Sequence, residues 1–467
     1  MLSLNVRTAY KKSVSPLVLG AALFSATAAG AQTLSLTNEE VMDPEMPEIL
    51  TMRERADVTD RWLRERLDTV VPQIMRQNGV DMWVLVAREY LEDPVVSTML
   101  NATSLRARRR TILVFFDPGE GQPIEKLTVS RYGMGGMFEP SWNPEEFEGD
   151  QWDRLAEIIE ERDPEVIAIN SSPLTAFGDG MTLSQYQGMM DALSDEMKGR
   201  VAATEKLAVQ WLEHRTESEM EFYPTVVRAA HAIIAEGFSR EVITPGETTV
   251  DDVKWWFRER IRNANLKAWF HSNVNVHREG VEEALQGDTV IQPGDMLWND
   301  FGIVYLGLNT DTQHLAYVLK EGETDAPEGL KAGMAANNAV QDALTESFEV
   351  GLTGNEVLAR ARERAIAEGL EPSIYTHPIG YHGHAAGPSI GFWDNQGDSE
   401  KGEQVVHANT AWSIELNATK AVPEWGGQRV EFKSEEDAFF DGETVTYIDG
   451  RQTQFHLIPS TPVRAGQ

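Results

Sequence analysis

Two aspartates stand where the surrounding pattern predicts burial. Asp300 and Asp311 lie in LWNDFGIVYLGLNTDTQHLAYV, residues 297–318, whose apolar residues predict two β-strands joined by a turn. A buried carboxylate without a compensating partner costs several kcal/mol. Either the two side chains are solvated at a strand end, or something positive lies between them.

Three further segments favour a metal site. HPIGYHGHAAGPSIG, residues 377–391, places three histidines among glycines and small residues, where backbone and ligand can approach closely. TAWSIELN carries Glu415 in an apolar run, and QRVEFKSEEDAFFDG carries Glu435 just before three apolar residues. Acids with one histidine suit manganese, cobalt, iron or zinc. Bridging carboxylates hold two such ions ~3.5–4 Å apart, where a shared water can attack a carbonyl.

In order and spacing, these residues resemble the M24 metallopeptidase family, which contains methionine aminopeptidase, aminopeptidase P and prolidase. Asp300 and Asp311 match its pair of aspartates in spacing and in the Asp-Phe-Gly context. The resemblance covers about 213–450, and the upstream region matches only in its general α/β pattern. The remaining motifs are Gly383-His384-Ala385-Ala386-Gly387 for Gly-His-x-x-Gly, Ser413-Ile414-Glu415 for Thr/Ser-Ile-Glu, and Lys433-Ser434-Glu435-Glu436-Asp437 for Arg-Ile-Glu-Glu/Asp-Asp.

The resemblance implies a role for each of these residues. Asp300 would bind one metal ion, and Asp311 with Glu435 would bridge both ions. His384 and Glu415 would complete the second site, with Glu415 also moving a proton to the leaving amine. His277 matches an upstream family histidine that faces the substrate. The implied cofactors are two divalent ions, manganese first, with cobalt, zinc or iron as alternatives.

Two assignments have rivals in the sequence. His382 competes with His384 as the ligand; His384 is preferred because glycine precedes it and another follows three residues later. His382 and His377 would then face the substrate or support the ligands. The family histidines four residues before and seven after the ligand would be replaced by Gly380 and Gly391. Glu431 likewise competes with Glu435, which is preferred for the apolar residues after it.

The expected function is exopeptidase cleavage of the N-terminal residue from short peptides, with Xaa-Pro bonds as the suspected target and water activated by two metals. Two alternatives remain. One is a non-peptidase hydrolase or lyase on the same fold, for which the unusual histidine loop argues. The other is a catalytically silent binding protein, which should have lost a ligand, and none is lost here.

Composition and the N-terminus limit location and partners. With 74 acidic and 41 basic residues the chain has a net charge of −33, which disfavours nucleic acid and anionic membranes as partners. Residues 1–31 combine basic residues, an apolar run and Ala29-Gly30-Ala31, which predicts a secretory signal peptide cut after Ala31. The protein is therefore expected to be periplasmic or secreted, without a membrane span. No cysteine is present to form disulfides.

The elements around these motifs predict two domains. Alternating helix and strand patterns between 45 and 205 predict strands near 82–87, 111–116 and 166–170. Thr216 and Glu219 form a capping-box signature that starts the next helix. By resemblance, residues 32–205 form a creatinase-like α/β N-terminal domain and residues 213–460 an α+β pita-bread catalytic domain. The same resemblance implies a homodimer in which the first domain caps the neighbouring site.

Overall fold

The computed structural model describes residues 42–460. The predicted signal peptide lies outside these residues. The domain boundaries at 205 and 213 remain predictions. Among the described residues, no helix combines the length and apolar character needed to cross a membrane.

The first region is built on a six-stranded mixed sheet of order β4-β3-β2-β1-β5-β6. β1 pairs antiparallel with β2 and parallel with β5. The predicted strands at 82–87, 111–116 and 166–170 are confirmed, and each of their ends lies within one residue of the prediction. The elements are α1 (Met52–Gln77), β1 (Met82–Arg88), α2 (Pro94–Thr98), β2 (Arg110–Phe116), β3 (Glu125–Thr128), β4 (Glu139–Pro140), α3 (Gln151–Arg162), β5 (Ile167–Asn170), α4 (Leu183–Ala192), α5 (Asp195–Lys198), β6 (Val201–Thr204) and α6 (Lys206–Glu213).

Helices cover both faces of this sheet, which explains why its central strands are apolar along their length. Trp83 and Leu85 of β1 pack with residues of α1 and α6. Met82 and Val84, which point to the opposite face, pack with residues of α3 and α4. Alternate residues of one strand therefore enter two different cores.

The second region begins with a helix whose start the sequence predicts correctly. Thr216 and Glu219 form the capping box at the N-terminus of α7. The region's elements are α7 (Glu217–Gly237), α8 (Val250–Asn263), β7 (Asn273–His277), β8 (Met296–Asp300), β9 (Val304–Tyr305), β10 (Leu308–Asn309), β11 (Leu315–Val318), α9 (Glu328–Thr345), α10 (Gly354–Ala367), β12 (Pro372–Ile374), β13 (His377–Ile379), β14 (Thr410–Ser413), β15 (Leu416–Val422), β16 (Gln428–Ser434), β17 (Asp437–Phe440), β18 (Val445–Tyr447) and β19 (His456–Ile458).

The segment 297–318 is more elaborate than two strands and a turn. β8 and β11 do pair antiparallel, with Leu315 opposite Trp298. Their connection contains a second small hairpin, β9 with β10. Asp300 ends β8, and Asp311 follows that hairpin. The connection therefore folds back so that both aspartates sit at the end of the β8–β11 pair.

A three-stranded sheet and a four-stranded sheet meet where the pairing of one long hairpin is interrupted. β15 and β16 pair in a sheet of order β12-β15-β16, while β14 and β17 pair in a sheet of order β13-β14-β17-β18. The last pair of one ladder is Leu416 with Ser434, and the first of the other is Ser413 with Asp437. Glu415 and Glu435 therefore occupy the two breaks, side by side. The mixed α/β first region followed by these helix-covered sheets confirms the predicted fold class.

Candidate active site

Five predicted or neighbouring residues converge at this junction. Single oxygen atoms of Asp300, Asp311 and Glu435 lie within 4.8 Å of one another. A second group, formed by His377, Glu415 and Glu435, meets the same limit. Because Glu435 belongs to both groups, it lies between two adjacent places where a cation fits.

Asp300, Asp311 and Glu415 lie in surroundings that favour their protonated forms. Burial, and then repulsion from Glu435, raise the pKa of Asp311 well above its ordinary value. The same two causes, in the same order, raise the pKa of Asp300 and of Glu415. Asp311 also has one buried oxygen, Oδ1, without a hydrogen-bond partner. A cluster of this kind is costly when empty and is stabilised by cations.

His377 is the imidazole best placed to bind a cation here. Its Nδ1 lies 3.0 Å from the carbonyl oxygen of Pro378, to which it can donate. Its Nε2 is buried and has no hydrogen-bond partner. That atom lies 3.6 Å from Glu435 Oε1, 3.8 Å from Asp311 Oδ2 and 4.0 Å from Glu415 Oε2. A ring fixed by one nitrogen, with the other free among carboxylates, is the usual arrangement of a metal-bound histidine.

His384, the histidine preferred from sequence, reaches the cluster from a more exposed position. One of its nitrogens forms a group within 4.8 Å with Asp311 and His377, but its side chain is exposed. Its ring contacts those of His377, at 4.7 Å between centroids, and Trp269, at 5.3 Å. The geometry favours His377 as the ligand and places His384 at the entrance to the cluster.

The other two candidate histidines lie further away. His382 packs its ring against Phe177, with centroids 4.1 Å apart, and belongs to neither ligand group. On β7, Asn273 pairs with Asp300 and His277 with Met296. His277 therefore lies on the same face of the sheet as Asp300, but four residues or ~13 Å along the strand. Burial, and then Lys433, lower the pKa of His277 to about 4.

The structure also separates the two rival glutamates. Glu431 is exposed on β16 and forms an ion pair with Lys433 at 3.3 Å. Glu435 is buried, and Ser413 donates to it at 2.5 Å. Only Glu435 of the two belongs to a ligand group within residues 42–460. The preference for Glu435 therefore has geometric support.

Gln313, which the sequence did not single out, links the two glutamates. Its Nε2 donates to Glu415 Oε1 at 2.8 Å and to Glu435 Oε2 at 2.7 Å. Its Oε1 accepts from the indole nitrogen of Trp298 at 2.9 Å, which fixes the orientation of the amide. Gln313 and Glu435 also exchange backbone hydrogen bonds. Gln313 is thus a buried clamp on both side chains.

We expect Gln313→Ala to weaken divalent-metal binding by about 10- to 100-fold, because partners of ligating side chains contribute at that level. Calorimetric titration of the protein with manganese measures this affinity. Gln341→Ala is the matched control, since Gln341 is equally buried but lies outside the cluster. Unchanged affinity in Gln313→Ala would show that the clamp does not position the ligands.

Behind Glu435, a buried hydrogen-bond network holds the chain in place. Both oxygens of Glu436 are engaged, with His314 Nε2 at 3.0 Å and His231 Nε2 at 3.1 Å. His231 continues to Asp449 at 3.0 Å, and His314 to His456 at 3.1 Å. The structure thus places His231, His314 and His456 in one network. It fixes the peptide that carries Glu435.

Lys401 is a cation near the entrance to the cluster, and the sequence gave no signal for it. Its charge helps to lower the pKa of His384 to about 4, after the larger effects of burial and His377, which lower that pKa, and of Glu435, which raises it. Burial also lowers the pKa of Lys401 itself. Within residues 42–460, no ion pair joins Lys401 to a carboxylate. Trp269, Tyr375 and Phe392 line the same entrance.

The chain is similar to known proteins both in sequence and in fold. Residues 225–433 match the model of metallopeptidase family M24. No curated protein gives a significant match. The structure is similar to an X-Pro aminopeptidase from Thermotoga maritima MSB8, with a TM-score of 0.58 and 16% identity over 83% of this chain and 99% of that one.

Two further solved structures share the fold. An Xaa-Pro dipeptidase from Bacillus anthracis has a TM-score of 0.54 and 17% identity, covering 87% of this chain and 100% of that one. The prolidase from Pyrococcus horikoshii OT3 has a TM-score of 0.51 and 14% identity, covering 85% and 99%. These likenesses extend over the first region as well as the second. Residues 225–433 thus match metallopeptidase family M24, and the chain shares the fold of solved Xaa-Pro aminopeptidases and prolidases.

Proposed function

We propose that this protein is a metal-dependent exopeptidase that hydrolyses the N-terminal peptide bond of short peptides, with Xaa-Pro as the substrate class. The observation that carries the proposal is the pair of ligand groups that share Glu435. Manganese is the first candidate, and cobalt, zinc and iron suit the same donors.

The proposed ligands of the two ions are Asp300, Asp311, His377, Glu415 and Glu435. His377 replaces His384 in this set because its unpartnered Nε2 is buried among the carboxylates. With His377 as the ligand, the family position seven residues later holds His384, so that the second histidine of the pattern is present. Two ions bound there would lower the pKa of a water and polarise the scissile carbonyl.

The side chains themselves divide the remaining work. Glu415 is more exposed than Glu435, with 23% of its side chain accessible. It can therefore accept a proton from the attacking water and return it to the leaving nitrogen. His384 stands at the entrance, near Asp311 and His377, and can donate to the oxygen that gains charge. His277, neutral near pH 7, is placed to contact more distant parts of a substrate.

The direct test is an assay of the chain from Gln32 against Xaa-Pro and Xaa-Ala dipeptides and tripeptides, with added manganese, cobalt or zinc and with chelator. Release of the N-terminal residue that depends on metal supports the proposal, and the panel shows whether proline is required. Absence of any cleavage by a protein with two metals bound would contradict it. The search would then move to non-peptide substrates and to lyase chemistry.

Lys401 points to substrates with a free C-terminal carboxylate. A half-buried cation without an anionic neighbour is costly, and a bound carboxylate compensates it. The charge of Lys401 acts on His384, whose pKa it helps to lower, so a carboxylate bound to Lys401 would lie on the His384 side of the cluster, as in a dipeptide. We infer that dipeptides are preferred to longer peptides.

Lys401→Met should raise KM for an Xaa-Pro dipeptide by about 10-fold or more, the loss expected for a charge-assisted hydrogen bond. KM for the same dipeptide with an amidated C-terminus should not change. Steady-state kinetics on both substrates measure the effect, and Lys420→Met, at an exposed position of β15, is the control. An equal loss on both substrates would assign Lys401 another role.

Cellular location and assembly complete the proposal. The signal-peptide pattern supports cleavage after Ala31 and a periplasmic or secreted enzyme. A homodimer is the expected assembly.

A further inference from the structure

Tyr381 lies between two buried arginines, in the loop 380–387 that carries His384. The guanidinium of Arg66, on α1, lies 4.9 Å from the centre of the Tyr381 ring, and that of Arg215 lies 4.6 Å from it. The Tyr381 hydroxyl donates to Glu219 Oε1 at 2.6 Å. Arg66, Arg215, Glu219 and Tyr381 together form the tyrosine lock.

The ring takes part in the charge balance of the lock. The side chains of Arg66, Arg215 and Glu219 are all inaccessible to solvent. Glu219 Oε2 lies 3.0 Å from Arg66, and Glu219 Oε1 lies 3.7 Å from Arg215. Two buried cations therefore share one carboxylate. An aromatic face attracts such desolvated cations, so Tyr381 stabilises both of them.

Backbone carbonyl groups around the end of α6 hold the two arginines in place. Arg66 donates to the carbonyl oxygens of Trp211 and His214, and Arg215 donates to that of Leu212. The guanidinium groups are thus fixed independently of Tyr381. The lock is a rigid socket built by α1 and by the turn between α6 and α7, and the loop 380–387 inserts one side chain into it.

The backbone beside Tyr381 is tied down as well. The carbonyl oxygen of Gly380 accepts from the backbone nitrogen of Asn309 at 2.7 Å and from its side-chain Nδ2 at 2.8 Å. A Cβ at position 380 would lie 3.1 Å from the central guanidinium carbon of Arg215, so glycine allows the loop to approach the lock this closely. The loop therefore leaves the lock in one defined direction.

His384 depends on this loop more than His377 does. His384 follows Tyr381 by three residues, and its side chain is exposed, so its position is set mainly through its backbone. His377 lies on β13, which pairs with β14 over three residues. Loss of the lock should therefore displace His384 and leave the proposed metal ligand in place.

We propose that Tyr381 is a positioning residue for the peptidase reaction: held in the tyrosine lock, it fixes the loop that presents His384 to the substrate. The inference rests on the proposed function, in which His384 donates to the oxygen that gains charge. It makes turnover depend on Arg66 and Glu219, which lie far from the carboxylate cluster in the sequence.

A double-mutant cycle tests this role. With manganese and an Xaa-Pro dipeptide, kcat should fall about 100-fold in Tyr381→Leu, because small displacements of a catalytic group cost on that order. Metal content per chain should stay that of the wild type. In a His384→Ala background, Tyr381→Leu should lower kcat no further, since its effect acts through His384.

Tyr381→Phe keeps the ring between the guanidinium groups and removes only the hydroxyl. It should fold even if Tyr381→Leu does not, and kcat should fall by only about 3- to 10-fold, the loss of one hydrogen bond. That loss too should vanish in the His384→Ala background. Retention of most activity by the conservative variant separates positioning from a requirement for the hydroxyl in the chemistry.

Amide hydrogen exchange gives a second readout that needs no substrate. Peptides covering 380–387 should exchange faster in Tyr381→Leu, while those covering β14 should not change. Tyr317→Leu is the matched control, since Tyr317 is fully buried and its hydroxyl also donates to a glutamate, Glu323, at 3.0 Å. It should leave both kcat and the exchange of 380–387 unchanged.

Two results would overturn the proposal: an equally large loss of kcat when Tyr381→Leu is added to His384→Ala, or unaltered exchange of 380–387 in Tyr381→Leu. A wild type that cleaves no peptide would contradict the proposed function instead. The exchange measurement would then still decide whether the tyrosine lock holds the loop.

Discussion

His377→Ala is expected to lose metal binding and, with it, more than about 100-fold of the metal-dependent activity. The physical reason is that His377 Nε2 is the buried nitrogen that faces Asp311, Glu415 and Glu435 without another partner. His384→Ala should instead keep both metals and lower kcat, by about 10²- to 10⁴-fold if it assists charge or proton transfer. Metal content per chain, measured by mass spectrometry alongside steady-state kinetics, separates the two.

His271→Ala provides the control for this pair, since His271 packs on Trp255 and belongs to none of the ligand groups. It should leave metal content and kcat unchanged. The reverse pattern, with metal lost in His384→Ala and retained in His377→Ala, would restore the assignment made from sequence.

The glycines around His384 explain why the sequence favoured it. Glycine beside a histidine suggested close approach to a ligand. In the structure, a Cβ on Gly383 would lie 2.4 Å from the Trp269 ring, so that glycine serves aromatic packing. The informative signals were the seven-residue interval from His377 to His384 and the strand position of His377. Both become decisive only when β13 is seen to pair with β14, next to Glu415.

Local sequence signals predicted the helices, the strands and the carboxylate ligands. They did not predict the side chains, such as Gln313, that contact those ligands. The capping box of α7 and the apolar strand β1 depend on neighbouring residues, and both were predicted correctly. Gln313 depends on Glu435, which lies 122 residues away, and on a break between two sheets. A glutamine in an apolar run carries no sign of such a contact. Lys401 was missed for the same reason, since its electrostatic effect on His384 depends on the fold.

Asp311→Asn is expected to stabilise the metal-free protein while abolishing metal-dependent turnover. In the wild type, burial and then Glu435, Asp300 and Glu415 raise the pKa of Asp311 well above its ordinary value, so a charge there opposes folding. A neutral amide of the same shape removes that repulsion, a gain of about 2 kcal/mol. Thermal unfolding in chelator should therefore show a higher Tm for the variant. The wild type alone should gain about 2.7 kcal/mol when metal reaches 100 times its Kd.

The stability of the metal-free protein should also depend on pH. Because the folded state of the metal-free wild type binds more protons than the unfolded chain above pH ~4, its stability should fall as pH rises from there. Asp311→Asn should flatten that slope, and bound metal should flatten it in the wild type. Asp325→Asn is the control, since Asp325 pairs with Lys331 on the surface and its pKa is lowered by that contact. A variant less stable than the wild type in chelator, at every pH, would mean that Asp311 stabilises the empty site and that the carboxylates do not repel one another.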